Sequence, residues 1–253
     1  MVGWCAADGV SRRRLLAAYR ALARRVWSPT AVDVRLRMNG STVLLRFREQ
    51  DIYVIGEILH DRSYRIHSQL PARPVIVDAG ANIGVAALWL ASHYADAELH
   101  CFEPESRSFA LLEYNLRQLP NARSERLALG ACPGTTSLFV SETGSVHSVF
   151  ETETAARVEV VACARLGDYL ERNNIERIDL LKVDVEGSEM AILQGLGTHI
   201  ERVGVIVGEF HKRLVDEAPF YDFLRQHGFH VVAKWPAHQS KDQHMFEVAR
   251  KGS

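Results

Sequence analysis

Short apolar runs alternate with stretches of helical periodicity from residue 74 to the end of the chain. The apolar runs lie at 75–79, 98–104, 126–130, 178–185, 204–210, 229–235 and 244–250. Helical spacing of apolar residues occurs at 85–94, 106–119, 188–196 and 219–228, with Ser106 and Ser188 as predicted N-caps. This alternation predicts an α/β fold, a mainly parallel sheet with helices on both faces. The last two runs have no helix between them, so we expect them to pair antiparallel.

A polar loop interrupts this alternation between residues 135 and 164. Two further predicted strands, 135–140 and 158–164, flank the loop at 141–157. Loops of this length in a compact domain are usually functional or mobile. We therefore treat 141–157 as a candidate lid or as a wall of the acceptor site.

The first part of the chain has a different pattern from the rest. We expect residues 1–73 to form an accessory segment in front of a domain at 74–253. An amphipathic helix is predicted within 11–27, a stretch that carries six arginines. This basic helix could bind a partner or mediate a homodimer.

A hairpin is the second feature of the accessory segment. Two alternating runs, 32–38 and 42–49, flank the dipeptide Asn39-Gly40. That dipeptide is a strong hairpin signal because both residues accept a positive φ. A helical apolar stripe follows at 51–61, so we expect a helix, a hairpin and a second helix in this order.

Composition and charge narrow the class of protein. Hydrophobic residues make up 47% of the 253 residues and charged residues 24%, which allows a substantial core. The 30 basic and 31 acidic side chains give a net charge of −1, which argues against a nucleic-acid-binding protein. No apolar run reaches the roughly 18–20 residues of a membrane span. The four cysteines lack metal-ligand spacing, which favours free thiols and a cytoplasmic location.

The first strand of the predicted sheet ends in a glycine loop. Asp78 ends the strand, and Gly80, Asn82 and Gly84 lie in a loop that opens a helix. Glycines let a ligand approach the backbone, and a helix N-terminus offers free N–H groups. The loop has neither GxGxxG spacing nor the lysine of a P-loop. A carboxylate at this mouth would repel a pyrophosphate, but it suits the ammonium group of S-adenosylmethionine.

An acidic residue at the end of the second strand supports the same ligand. Glu103 lies about 20 residues beyond the glycine loop, where a carboxylate can accept both ribose hydroxyls. NAD-binding proteins share this feature, so it does not separate the two cofactors by itself. The combination of Asp78, the glycine loop and Glu103 favours S-adenosylmethionine.

Charged side chains cluster where the fourth and fifth strands of the domain end. Lys182, Asp184 and Glu186 alternate, so they share one face of a strand otherwise made of leucine and valine. Glu209 and His211 end the next strand, also two residues apart. Ligands of open α/β sheets bind at the carboxyl ends of the strands. The cluster is therefore a candidate catalytic site, with a structural ion-pair network of Lys182 as the alternative.

Four segments together resemble the FkbM family of S-adenosylmethionine-dependent methyltransferases. They are DAGANIG (78–84), CFEPE (101–105), LKVDVEGSE (181–189) and the ending GEFH (208–211). The resemblance implies a class I methyltransferase (Rossmann-like) fold, with seven strands in the order 3-2-1-4-5-7-6. It also implies O-methylation of a hydroxyl on a sugar, polyketide or other secondary metabolite. By position, the cofactor would be held by Asp78, Gly80, Asn82, Gly84 and Glu103, and Asp184 would lie near the transferring methyl group.

Methyl transfer to an alcohol requires the hydroxyl oxygen to lie close to the methyl carbon and in line with the bond that breaks. It also requires a base that removes the hydroxyl proton. His211 is the preferred general base because the ordinary pKa of histidine, about 6.5, lies near neutral pH. Asp184 or Glu209 would orient His211 or act as the base instead. Alternatively, Asp184 and Glu209, with or without His211, bind a divalent cation such as Mg²⁺ that lowers the pKa of the hydroxyl. Candidates for an apolar acceptor wall are Trp27, Tyr64, Trp89 and Trp235.

Two other functions stay open at this point. An NAD-dependent oxidoreductase would need a pyrophosphate loop that the sequence lacks. A non-catalytic domain that keeps the fold would bind a partner through the basic N-terminal helix. The expected partner of the favoured enzyme is a small molecule with a hydroxyl group, and we expect neither nucleic acid as a partner nor a membrane span.

Overall fold

The structure is a computed structural model. It describes residues 5–24, 26, 28, 30–60, 63–141, 147–148, 155–237 and 242–250, with the backbone alone at 147, 148 and 155. The predicted loop at 141–157 and Trp27 therefore lie largely or wholly outside the described residues. Within the described part of the chain, no helix is both long enough and apolar enough to cross a membrane.

The N-terminal segment folds into the predicted helix, hairpin and second helix. Its elements are α1 (Gly9–Arg24), β1 (Val32–Met38), β2 (Ser41–Phe47) and α2 (Ile52–Leu59). Asn39 and Gly40 have φ angles of 43° and 81°, the left-handed conformation that the Asn-Gly turn requires. The two strands pair antiparallel along their whole length.

Strands and helices alternate through the rest of the chain. The elements are β3 (Val75–Ala79), α3 (Val85–His93), β4 (Glu98–Phe102), α4 (Ser106–Leu116), β5 (Ala122–Glu125), β6 (Ala128–Leu129), β7 (Gly134–Ser141), β8 (His147–Ser148), β9 (Ala155–Ala164), α5 (Leu166–Arg172), β10 (Ile178–Val183), α6 (Glu189–Leu196), β11 (Val203–His211), α7 (Glu217–Gln226), β12 (Phe229–Pro236) and β13 (Gln243–Arg250).

The main sheet has seven strands in the order β12-β13-β11-β10-β3-β4-β5. Numbered along the chain within this sheet, the order is 3-2-1-4-5-7-6, as the family resemblance implied. The strands from β11 to β5 are parallel, whereas β13 runs antiparallel to both β11 and β12. Both the mainly parallel sheet and the antiparallel pair at its end are confirmed.

The third strand of the main sheet lies elsewhere than predicted. It is β5, at Ala122–Glu125, whereas the apolar run 126–130 enters a second sheet of four strands in the order β6-β9-β7-β8. β5 forms the edge of the main sheet and alternates between half-buried and exposed residues, so it shows no apolar run. Ala128 of β6 belongs to the buried apolar cluster of this second sheet, which explains why the run at 126–130 is apolar. The same sheet contains the two additional predicted strands, as β7 and β9.

Two helix details also differ from the prediction. The N-cap of α4 is Glu105 rather than Ser106, and its carboxylate accepts the backbone N–H groups of Arg107 and Ser108 at 3.0 and 2.6 Å. Ser188 does precede α6, but its side chain makes no capping bond. The negative charge of the Glu105 carboxylate also interacts favourably with the positive N-terminal end of the helix dipole.

The N-terminal segment shares a hydrophobic core with one face of the main sheet. Buried residues of β1, β2 and α2 belong to the same cluster as those of α3 and α4. Asn115 on α4 binds the main chain of Arg46 twice: its Oδ1 accepts the N–H at 2.7 Å and its Nδ2 donates to the carbonyl at 2.9 Å. These contacts fix the hairpin against α4 and so place α2 beside the carboxyl edge of the sheet.

Candidate active site

A cavity opens at the carboxyl edge of the main sheet. Its walls come from the loops that follow β3, β4 and β10, from the end of β11, and from the second sheet. The helix α2 and the nearby Tyr64 close it from the N-terminal side. The cavity therefore lies where open α/β sheets bind their ligands.

The glycine loop forms the floor of this cavity. Gly80 has a φ of 78°, and a Cβ there would lie 1.9 Å from the carbonyl oxygen of Asp184, so no other residue fits. Asn82 (φ 50°) lines the cavity, and its buried Oδ1 accepts no hydrogen bond from the described residues. Gly84 does not line the cavity: a Cβ there would meet Leu112 at 2.9 Å, so it allows α3 and α4 to pack closely.

Glu103 lies in the cavity wall at the end of β4, as predicted. One carboxylate oxygen accepts the backbone N–H of Asn82 at 2.9 Å, and the other accepts that of Glu105 at 2.8 Å. Burial raises the pKa of Glu103 to about 7, although these two N–H groups lower it. The two bonds fix the orientation of the Glu103 side chain.

One end of the cavity is apolar. The cavity wall beyond Glu103 is formed by Phe102, Pro104, Leu127, Leu129 and Leu138. The second sheet supplies part of this wall, because Leu129 belongs to β6 and Leu138 to β7. This apolar slot lies next to the Glu103 carboxylate.

Asp78 does not present a free carboxylate to this cavity. It is fully buried, does not line the cavity, and its Oδ1 lies 2.8 Å from Nζ of Lys182. Lys182 stands directly opposite Asp78 in the register of β10 and β3. The expectation that Asp78 attracts the ammonium group directly is therefore replaced by a structural role, since its charge is already neutralised.

Lys182 is the cation at the centre of the loop. Its Nζ donates to the carbonyl of Gly80 at 2.7 Å and lies 3.9 Å from Oδ2 of Asp184. Burial lowers the pKa of Lys182, but the carboxylates of Asp78 and Asp184 outweigh it and raise the pKa overall. The ammonium group therefore stays charged and ties β3, the glycine loop and the end of β10 together.

The opposite end of the cavity is acidic. Asp184, Glu186 and Glu209 line it together with Glu57 from α2. Burial, and then repulsion from Asp184 and Glu57, raise the pKa of Glu209 to about 8. Burial likewise raises the pKa of Glu186 to about 7, although His211 lowers it. The structure thus brings together the predicted acidic residues and adds Glu57, which the sequence analysis did not single out.

His211 is buried behind this cluster rather than in the cavity wall. Its Nδ1 bonds to Oε1 of the fully buried Glu189, and its Nε2 lies 3.2 Å from Oε2 of Glu186. Burial lowers the pKa of His211, but Glu189 and Glu186 outweigh it and raise the pKa to about 10. An imidazolium cannot accept a proton, so the geometry does not support His211 as the general base.

A cation site is the other chemistry that this cluster offers. One ligand atom each from Asp184, Glu209 and His211 lie within 4.8 Å of one another, a grouping found among the described residues. The donor set of two carboxylates and an imidazole fits a divalent cation in kind. His211 would have to release a proton before it could bind a metal.

The predicted aromatic wall is only partly present. Tyr64 lines the cavity, whereas Trp89 and Trp235 pack against the hydrophobic core. Instead, α2 closes this side of the cavity, through Tyr53, Val54 and Glu57 among others. The apolar stripe at 51–61 predicted this helix, but no local signal in the sequence places it over the cavity.

Two curated relatives match most of the chain. Methyltransferase 1 of Beauveria bassiana is 30% identical over 222 residues, which cover 79% of this chain and 89% of the relative. The 31-O-demethyl-FK506 methyltransferase FkbM of Streptomyces tacrolimicus is 29% identical over 231 residues, covering 78% of this chain and 88% of the relative.

A solved structure and a family model agree with these relatives. The crystal structure of Methyltransferase FkbM from Methylobacillus flagellatus KT has a TM-score of 0.52 at 14% identity, and the match covers 97% of this chain and 56% of that chain. This likeness shows the same fold. The family model of the methyltransferase FkbM domain matches residues 78–231, from Asp78 to β12. The chain therefore belongs to the FkbM family and is an S-adenosylmethionine-dependent methyltransferase.

Proposed function

We propose that this enzyme methylates a hydroxyl group of a small molecule, either a secondary metabolite or a sugar. The observation that carries the proposal is the cavity, which is lined by apolar side chains at one end and by carboxylates at the other. The Streptomyces relative is named for a methyl transfer to an oxygen of FK506, which supports oxygen as the acceptor atom. The family assignment displaces the NAD-dependent oxidoreductase as an alternative.

The cavity fits S-adenosylmethionine in three places. The apolar slot takes the adenine ring, and the fixed carboxylate of Glu103 accepts the ribose hydroxyls. The unpartnered Oδ1 of Asn82 can accept an N–H of the amino-acid part. Asp184 then takes the place that we expected for Asp78, as the carboxylate that faces the positively charged end of the cofactor.

Glu209 is our choice for the proton acceptor. It lines the cavity at the end of β11 and is 8% exposed, so a hydroxyl that enters from the α2 side reaches it without bulk water. When the hydroxyl oxygen takes the methyl group, the carbon–sulfur bond of the cofactor would break and the neutral thioether would leave. The pKa of Glu209 is about 8 without a ligand. The positive charge of the bound cofactor would lower this pKa, so that the ionised carboxylate of Glu209 accepts the hydroxyl proton. The bound cofactor supplies the activated methyl group.

The charge of the cavity also restricts the acceptor. Among the described residues that line it, the cation is Lys182, whose charge is matched by Asp78. An acceptor with a phosphate or carboxylate close to the reacting hydroxyl would lie among acidic side chains, with no further cation among the described residues that line the cavity. We therefore propose an uncharged or basic acceptor.

A divalent cation is the second candidate for activating the hydroxyl, favoured by the ligand atoms of Asp184, Glu209 and His211 that lie within 4.8 Å of one another. The cation would lower the pKa of the bound hydroxyl and replace Glu209 as the activating group. Removal of metal with EDTA separates the two. Unchanged turnover assigns the role to Glu209, whereas a loss restored by Mg²⁺ or Mn²⁺ assigns it to the cation.

Binding and transfer can be tested in one series. Calorimetry with S-adenosylhomocysteine should give a micromolar dissociation constant, and NAD should not bind. Incubation with S-adenosylmethionine carrying a deuterated methyl group and fractionated metabolite extracts should yield products that are heavier by one labelled methyl group. Product fragmentation by mass spectrometry then locates the methyl group. No binding of S-adenosylhomocysteine, or label on nitrogen, would contradict the proposal.

Two expectations stay predictions. A cytoplasmic location agrees with the free state of Cys5, Cys101, Cys132 and Cys163. A homodimer formed through α1 and the hairpin is checked by sedimentation of the purified protein.

A further inference from the structure

Tyr64 lies in front of the region that the family model matches, yet it contacts the centre of the site. It belongs to an irregular stretch, residues 63–70, that we call the strap and that connects α2 with the segment leading to β3. The Tyr64 hydroxyl donates to Oδ2 of Asp184, and its ring centroid lies 5.1 Å from Nζ of Lys182. Tyr64 is buried and lines the cavity.

The strap is attached to the far side of the sheet by a buried carboxylate. Glu247 on β13 is fully buried, and one of its oxygens accepts the backbone N–H of His67 at 2.7 Å and contacts Nδ1 of His67 at 2.8 Å. The other oxygen accepts the backbone N–H of Ser68 at 2.7 Å. A carboxylate within a strand of a buried sheet is rare unless it is fully bonded, and here the strap supplies the bonds.

These two attachments act on the same short segment. Tyr64 and His67 are three residues apart, so a strap held at His67 and Ser68 leaves Tyr64 little freedom. The hydroxyl of Tyr64 and the ammonium of Lys182 both approach the same oxygen of Asp184, Oδ2. The orientation of the Asp184 carboxylate is therefore set by the strap on one side and by Lys182 on the other.

We propose that Glu247 is a positioning residue of the cofactor site, and that it acts through the strap by placing the Tyr64 hydroxyl on Asp184. The inference rests on the proposed function, because it takes Asp184 as the residue that faces the charged end of the cofactor. It makes the segment before residue 78 part of the active site.

A double-mutant cycle on the full-length protein tests this inference without an acceptor. The dissociation constant of S-adenosylhomocysteine is measured by calorimetry for the wild type, Tyr64→Phe, Glu247→Gln and the double variant. The amide of Glu247→Gln would oppose a donor to a strap N–H. We expect each single variant to weaken binding about five- to ten-fold, because each frees Asp184. The double variant should have the same affinity for S-adenosylhomocysteine as whichever single variant binds it less tightly.

Non-additivity is the outcome that a merely structural role would not give. Tyr64 and Glu247 have no bond to each other among the described contacts, and independent sites are expected to add. Multiplied effects, or unchanged affinity in Glu247→Gln, would overturn the inference. A wild type that does not bind S-adenosylhomocysteine would instead overturn the proposed function.

Asp179→Asn is the matched control for the cycle. Its carboxylate also accepts a backbone N–H from another segment, that of Val75 at 2.7 Å, but it lies at the opposite edge of the sheet. We expect this variant to leave the affinity for S-adenosylhomocysteine unchanged. Combined with Tyr64→Phe, it should give the affinity of Tyr64→Phe alone.

Hydrogen exchange in the wild type decides the question if Glu247→Gln does not fold. The amides of His67 and Ser68 should exchange at least about 100-fold more slowly than in an unstructured peptide, with no ligand present. Exchange at the unstructured rate would mean that the strap is not held in place, and would overturn the inference.

Discussion

Asp78 and Glu209 are carboxylates near the same edge of the main sheet, yet the charges that surround them differ. Asp78 is fully buried and has an ammonium group 2.8 Å away. Glu209 is 8% exposed, and burial together with Asp184, Glu57 and Glu186 raises its pKa, whereas His211 lowers it. A carboxylate at the end of a strand is therefore expected to lie near the site. Whether a residue on a neighbouring strand neutralises its charge decides whether that charge can act on a ligand.

The largest expected effect is the loss of stability on removing the paired carboxylate. Asp78→Asn leaves Lys182 buried without its partner 2.8 Å away, which should cost about 3–5 kcal/mol in the free energy of unfolding. Urea denaturation followed by circular dichroism measures this. The double variant with Lys182→Met should recover most of the loss. If Asp78→Asn were as stable as the wild type, the ion pair would not hold the loop.

The next largest effect concerns the part that Glu209 takes in catalysis. Glu209→Gln removes the proton acceptor, so kcat should fall at least about 100-fold while S-adenosylhomocysteine binds within about three-fold of the wild type. Glu186→Gln is the matched control, since it changes a second carboxylate of the same cavity, and it should cost less than about ten-fold. The reverse order of the two variants would move the base to Glu186.

The raised pKa of Glu209 should also make the free energy of unfolding depend on pH. The pKa of Glu209 is raised to about 8 in the folded protein, so its protonated form is favoured there. Unfolding then releases a proton between about pH 4.5 and 8, and this contribution to stability is lost as pH rises through that window. Glu209→Gln should match the wild type near pH 4.5 and exceed it by about 4 kcal/mol at pH 8, in the presence of EDTA. Parallel curves would contradict this assignment.

Most of the sheet could be predicted from the sequence because its strands are buried on both faces. Such strands appear as continuous apolar runs, and the charges that end them, such as Glu103 and Asp184, stand out. The edge strand β5 was missed because an exposed edge needs no apolar run. Its four residues carry no signal that separates them from a loop.

The pairing of charges could not be predicted from single strands. Lys182 stands opposite Asp78 only in the register of β3 and β10, which depends on the whole sheet. Glu189, which binds His211, lies on a helix 22 residues before it. The positions of Glu57 and Tyr64 over the cavity likewise depend on how α2 packs on the core. Pairing of this kind explains why the sequence favours Asp78 and His211 for roles that we propose for Asp184 and Glu209.

The central claim is that the acidic end of the cavity has charge to offer a cation, and one comparison of ligands tests it most directly. S-adenosylhomocysteine has a neutral sulfur at the reacting centre, whereas sinefungin carries an amino group there that is protonated at neutral pH. Calorimetry should show that sinefungin binds at least about ten-fold more tightly, and that the ratio falls toward one in the double variant Asp184→Asn, Glu209→Gln. Equal affinities in the wild type would contradict the claim.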